Sequence, residues 1–270
     1  MFNLHRFFEF RELEDQPRSI IDHLEDLRKM LIKMATVLGL AMMLSFIFRH
    51  QITAMIQHPL VAVDPKNAEG LQSLGVADSL MISFSLAFYA GLIFSLPFLL
   101  YFLAEFLMPA LLPKERRAVI PTALMGFLLF LIGGAFGYFA VLPRALDFFY
   151  KDAKSLGWIP IWTVREYYAF TTQFIISFGL AFELPAAVLL LVRLGFLDTK
   201  TLIKIRPHAV VAIFVLAALI VPTPDLLTFL LMGVPMYGLY ELCILIARFV
   251  EKKERLRDGI MDVDVEEERR

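Results

Sequence analysis

Two groups of acidic residues have the type and placing to do chemistry. Glu25 and Asp26 stand at the mouth of the first long apolar run, and Glu105 and Glu115 flank a polar turn that also holds Lys114, Arg116 and Arg117. Together these carboxylates suit a ligand with adjacent arginines, because a guanidinium fork meets a carboxylate through two parallel hydrogen bonds. Taken singly, each also reads as a solvated interface charge, and exposed ion pairs contribute little. Glu183 differs, because it lies inside Phe178–Val192, a run apolar enough for a membrane. A carboxylate at the centre of a spanning helix costs roughly 2.5–3.5 kcal/mol on insertion scales, so a chain that keeps one has a use for it. The alternatives are a functional acid in the bilayer and a buried, protonated Glu making one interhelical hydrogen bond.

Other chemistries fail on their own requirements. There is no GxxxxGK phosphate loop, no helix with paired histidines and no strand-borne dinucleotide fingerprint. The five histidines, His5, His23, His50, His58 and His208, are scattered, whereas a metal site needs clustered ligands. No nucleophile and base can be placed together, so the chain reads as a non-enzyme without cofactor or metal. The single cysteine, Cys243, sits in an apolar run and reads as a small buried hydrophobe. A net charge of -1 offers nucleic acid no general attraction.

The elements that hold the acids are those of a membrane protein. Hydrophobic residues make up 59% of the 270, charged residues 20%, and the mean hydropathy is +0.68, which indicates an all-α integral membrane protein. Residues 1–18 read as a tail, 19–250 as the membrane domain and 251–270 as a charged tail. With charge throughout Met1 to Arg28, the first span is expected to stay as an anchor instead of being cleaved. Ser19-Ile-Ile-Asp22 resembles a capping box, and Ile20, Leu24, Leu27 and Leu31 recur at helical spacing into that first span, 31–48. The segment 51–79, with His58-Pro59 and Asp64-Pro65, is too polar to span and is expected to form short helices and turns on the outer surface.

Span two, 80–103, carries Ser83, Ala87, Gly91 and Ser95 four residues apart, a small-residue stripe that admits a neighbouring backbone; Pro97 is expected to bend it. Span three, 118–142, carries Gly133-xxx-Gly137, a packing pattern. Residues 143–167 are expected to be a polar connection with interfacial aromatics such as Trp158 and Trp162. Span four, 168–192, holds Glu183, about 14 Å from its nearer end at helical rise. The fifth apolar run, 209–221, reaches only about 20 Å against a hydrocarbon core of roughly 30 Å. The sixth, 226–247, follows almost at once and is expected to be interrupted by Pro235. This pair of short helices implies local bilayer thinning or shelter behind the other spans, and hence a cupped groove. Of the 26 Lys and Arg, only Arg49, Lys66, Arg144, Lys151, Lys154 and Arg165 fall on one side, so both termini are expected to be cytoplasmic.

Several motifs, in order, resemble one family. His23-Leu-Glu-Asp-Leu-Arg28, Phe106-Leu-Met-Pro109 leading to Lys114-Glu-Arg-Arg117, Phe182-Glu-Leu-Pro185, Pro222-Thr-Pro-Asp225 and Pro235-Met-Tyr-Gly-Leu-Tyr-Glu241 are similar to TatC, the multispanning core of the twin-arginine protein translocase. The resemblance covers residues 19–250. It implies six transmembrane helices in a glove-like arrangement in the plasma (inner) membrane and a receptor for twin-arginine signal peptides of folded precursors. By motif position it implies signal-peptide binding by Asp26, with Glu25 beside it, and by Glu115 with Phe106 nearby. Asp26 stands where the family more often has Glu, which shortens the reach by one methylene. The family's membrane-embedded acid falls on Glu183, as a docking point for partners expected to face the fifth and sixth helices, and its outer-face positions fall on Pro59 and Asp225. The implied partners are single-span TatA and TatB proteins and further TatC copies, with the proton-motive force supplying energy. The competing reading from another class is a proton-coupled secondary transporter using Glu183, but no convincing internal repeat accompanies it.

Overall fold

The structure is a computed structural model that describes residues 20–63, 71–110, 113–220 and 225–268. Ten α-helices follow in order within these segments: α1 Ile20–Ile47, α2 Arg49–Val63, α3 Asp78–Leu107, α4 Pro113–Phe136, α5 Leu142–Ser155, α6 Val164–Ala181, α7 Glu183–Arg193, α8 Thr199–Lys204, α9 Arg206–Ile220 and α10 Leu226–Glu268. No strand forms among the described residues beyond one isolated bridge, Gln72 with Thr163. Five stretches are long and apolar enough to cross a membrane: Ile21–Ile47, Asp78–Leu107, Val119–Ser155, Val164–Arg193 and Leu226–Phe249. The apolar helix Arg206–Leu219 is shorter. Large hydrophobics such as Leu40, Met43, Phe94, Phe139 and Leu219 are exposed on the outside of the bundle, as a lipid-facing surface requires.

Small residues set the helix contacts. A Cβ on Gly91 would stand 2.8 Å from the backbone of Met42, so α1 and α3 approach at backbone distance on the stripe that also buries Ala87 and Ser95. On α4, Gly133 faces the Phe178 carbonyl and the Phe182 side chain, each 2.6 Å from where its Cβ would be, and Gly137 faces Phe178. The core around these contacts joins Phe174, Phe178, Leu142, Met232, Met236 and Ile244, so α6 and α10 meet α5 in one continuous cluster. In the hairpin of α9 and α10, Phe214 lies over Gly233 and its ring is 5.2 Å from that of Phe229.

Several expected boundaries move. The third span does not end near Leu142, because a π-helical turn, Gly137–Val141, carries it into α5 and so to Ser155. Pro143 has no N–H for the Phe139 carbonyl, and the wider turn absorbs that mismatch. The charges of 143–155 ride on an amphipathic helix that buries Ala145 and Leu146 and pairs Lys151 with Asp147 at 2.7 Å. Pro59 lies within the short, 15-residue α2, and Pro235 lies within the continuous α10 instead of interrupting it. Pro185 does act as a breaker: without its N–H the Ala181 carbonyl loses a partner, and span four divides at Phe182 into α6 and α7. Ser19, Asp64, Pro65, Pro222 and the N-terminal tail lie outside the described residues.

Candidate functional site

The end of the bundle where α1 begins gathers several of the expected residues. The His23 ring stacks on Phe106, with centroids 4.6 Å apart and planes 20° from parallel, which ties the first turn of α1 to the last turn of α3. Asp26 follows His23 by three residues and so shares its helix face; it is half-buried there. Glu25 points elsewhere, toward Arg28 at 3.5 Å and Lys29 at 3.9 Å, in exposed pairs worth little. Lys33 reaches across to Glu105 at 3.1 Å and lies over the Phe102 ring. Glu115 falls in the first turn of α4, and its side chain lies outside the described residues. The Arg116 guanidinium donates to the Met108 carbonyl at 3.0 Å, holding the start of α4 against the end of α3.

Glu183 sits at the first turn of α7, where the break made by Pro185 leaves a helix N-terminus that favours a carboxylate. Its Oε2 occupies the space a Cβ would need at Gly126 on α4, 2.6 Å from that position. The other oxygen, Oε1, is buried and has no hydrogen-bond partner. The acid's described neighbour is thus the third span, through Gly126 on α4.

At the opposite end, Pro59 is buried in α2 and three tyrosine hydroxyls converge on that helix. Tyr138 donates to the Met55 carbonyl at 2.6 Å, Tyr167 to Ile56 at 2.7 Å and Tyr168 to Thr53 at 3.4 Å. Asp225 is the N-cap of α10, its Oδ1 accepting from the Thr228 N–H at 2.7 Å. Pro59 and Asp225 therefore each have a backbone-organising place.

A family model described as "Sec-independent protein translocase protein (TatC)" matches residues 22–235. The chain belongs to the TatC family. It is 35% identical over 239 residues to the TatC of Deinococcus radiodurans, covering 88% of this chain and 87% of that protein. With the TatC of Escherichia coli K12 it shares 32% identity over 255 residues, 94% and 98% of the two chains. It is 48% identical over 180 residues to the TatC of Akkermansia muciniphila, spanning 67% of this chain and only 52% of that longer protein. A crystal structure described as the twin-arginine translocase receptor TatC superposes with a TM-score of 0.74 at 32% identity, covering 84% of this chain and 98% of the other.

Within this TatC-family fold, the tertiary contacts bring together residues that the sequence reading left apart. His23 opens the first family motif and was otherwise counted among scattered histidines; the structure makes it the platform for Phe106. Arg206 pairs with Glu241 at 2.7 Å, Tyr237 donates to the same carboxylate at 2.9 Å, and Tyr240 donates to the Leu202 carbonyl at 2.7 Å, binding α8 and α9 to α10. The only sequence signal for that cluster was the Tyr-Gly-Leu-Tyr-Glu run of residues 237–241. Among the described residues no three His, Cys, Asp or Glu side chains gather as metal ligands would.

Proposed function

We propose that this chain is the receptor and scaffold of a twin-arginine translocase, binding the paired arginines of a precursor's signal peptide at its cytoplasmic face. The observation that carries this reading is the stacked His23–Phe106 pair with Asp26 on the same helix face. It holds a half-buried carboxylate beside an aromatic surface, at the end of the bundle where α4, with Glu115 in its first turn, also begins. An arginine docked there gains charge-assisted hydrogen bonds from its fork and stacking from the ring plane. Both termini are then cytoplasmic, and six spans, with α9 as the short fifth, form a cupped wall in the inner membrane.

Glu183 is the docking point within the bilayer. Its buried, unpartnered oxygen leaves about 1–3 kcal/mol of hydrogen bonding unclaimed, which a polar side chain on a single-span partner of the TatA or TatB type would recover. Further copies of the chain and the proton-motive force complete the assembly.

The direct test is photocrosslinking of a twin-arginine signal peptide to the reconstituted chain, with the twin-lysine peptide as control. Asp26→Ala and Glu115→Ala are each expected to weaken crosslinking, by about tenfold if one charge-assisted bond is lost. Undiminished, arginine-dependent crosslinking in both variants would sink the assignment.

A further inference from the structure

Helices α2, α3, α4 and α6, with the π-helical turn after α4, enclose a laterally open groove of about 320 Å³, floored by Gly134 and Thr172 and walled by Ile52, Phe94, Phe139 and Ile175. Its lining is almost wholly apolar. Two of the polar groups that border it are already engaged: the Tyr138 hydroxyl donates to Met55, and the Thr172 hydroxyl donates to the Tyr168 carbonyl at 2.6 Å. The groove therefore offers water little, and hydrocarbon suits it.

Phe94 and Phe139, exposed on the outside of the bundle, flank the groove's open side, so an acyl chain reaches it directly from the bilayer.

Charge selects what the chain is attached to. Arg49 opens α2, one turn before the groove residue Ile52 and on the same helix face. Its guanidinium lies over the Phe46 ring at 4.9 Å, and Phe46 in turn stacks on Phe84. Among the described residues no carboxylate pairs with it. A half-buried guanidinium beside an apolar groove in a membrane-spanning bundle complements a phosphate joined to an acyl chain.

We infer that this groove binds a phospholipid, with one acyl chain lying between α2, α3, α4 and α6 and its phosphate on Arg49. The bound chain fills the space under α2 and braces the helix that carries Pro59.

The test uses the full chain in nanodiscs of phosphatidylethanolamine and phosphatidylglycerol, doped with phosphatidylglycerol bearing a diazirine on its acyl chain. After illumination, labelled peptides are mapped by mass spectrometry. Label is expected on the buried lining residues Phe130 and Ile176 and on Ile175, above the level on exposed Val215 and Leu219 of α9, which serve as the fold and bilayer reference. Two variants that fill the groove, Ala90→Phe and Gly134→Leu, are each expected to reduce groove label by roughly tenfold, the loss from displacing about two buried methylenes, with the α9 label unchanged. Arg49→Gln is expected to remove the preference for the phospholipid probe over a diazirine diacylglycerol that lacks the phosphate. Groove label that persists in both filling variants overturns the site. Equal labelling of the wild-type groove by the two probes overturns the headgroup assignment. Displacement of the lipid label by a signal peptide that itself crosslinks to Phe94 or Ile175 overturns it in favour of a peptide site.

Discussion

The hydroxyl of Tyr138 takes the backbone carbonyl of Met55 at 2.6 Å, the carbonyl four residues before Pro59. In an unbroken helix that carbonyl would accept from the N–H of residue 59, which proline lacks. The π-helical turn at Gly137–Val141 holds Tyr138 where it supplies the missing donor. Proline and tyrosine thus act as one unit through a hydrogen bond that spans 83 residues of sequence. Tyr138→Phe leaves the Met55 carbonyl unsatisfied and is expected to cost about 1–3 kcal/mol. In a Pro59→Ala background the new N–H takes the carbonyl, so the same change costs markedly less. Unfolding of the four proteins in detergent measures the cycle, and simple additivity of the two losses would exclude the coupling.

Gly126 and Glu183 form a second such unit. A methyl group at residue 126 would meet the carboxylate oxygen at 2.6 Å. Gly126→Ala is expected to destabilise by about 1–3 kcal/mol or to expel the acid from its slot. Glu183→Gln has the same shape and keeps the conflict, whereas Glu183→Ala relieves it. Thermal unfolding and co-purification of a tagged single-span partner check both arms. Partner binding kept by Glu183→Gln and lost by Glu183→Ala indicates a neutral hydrogen bond; loss in both indicates that charge is needed.

Glycines at helix crossings are expected to divide sharply from glycines on the lipid-facing surface. At Gly91 and Gly133 an added methyl group meets backbone atoms of Met42 and Phe178, which cannot swing aside, so alanine there should lower the unfolding temperature. Gly39 has nothing within 4 Å of the same position. Alanine at 39 should be neutral or stabilising by about 0.4–1 kcal/mol, since it only restricts the unfolded chain. A Gly39→Ala loss as large as that of Gly133→Ala would contradict the packing described.

Asp198 caps α8 in the connection between α7 and α8. Hydrogen bonds from the Thr201 side chain and then its backbone N–H hold the carboxyl below the usual carboxylate range. A depressed folded value means the cap contributes fully above the ordinary aspartate pKa of about 3.9 and is lost as pH falls through the folded value. Hydrogen exchange at the Thr201 and Leu202 amides should therefore be insensitive to cap titration from neutral pH down to about 5, and protection should fall below about 4. Asp198→Asn should keep much of the cap and abolish this acid dependence; an unchanged acid profile in that variant would refute the assignment.

Much of the architecture can be read in the chain because it is encoded locally. Runs such as 226–247 declare a span by hydropathy. The stripe Ser83, Ala87, Gly91, Ser95 declares a crossing by spacing, and both crossings expected at Gly91 and at Gly133 with Gly137 are made. Local signals also misled. The charges of 143–155 suggested a connection because polarity was read without its period; the helix there alternates buried Leu142, Ala145 and Leu146 with exposed charge. Pro235 suggested an interruption because proline removes one hydrogen bond, yet α10 runs through it, and at Pro59 a tyrosine from another segment repairs the loss.

The sequence by itself determined the class of protein, the apolar runs and the small-residue faces, and it offered the acids as candidates. Hydropathy, periodicity and motif order are properties of neighbouring residues. Only the tertiary structure decided that His23 carries Phe106, that Glu183 rests on Gly126 and that Arg206 meets Glu241 35 residues away. Such pairs depend on how each helix is rotated and on how far it slides against its neighbour. Those quantities are set by the fit of side chains from distant segments, and the spacing within one segment does not record them.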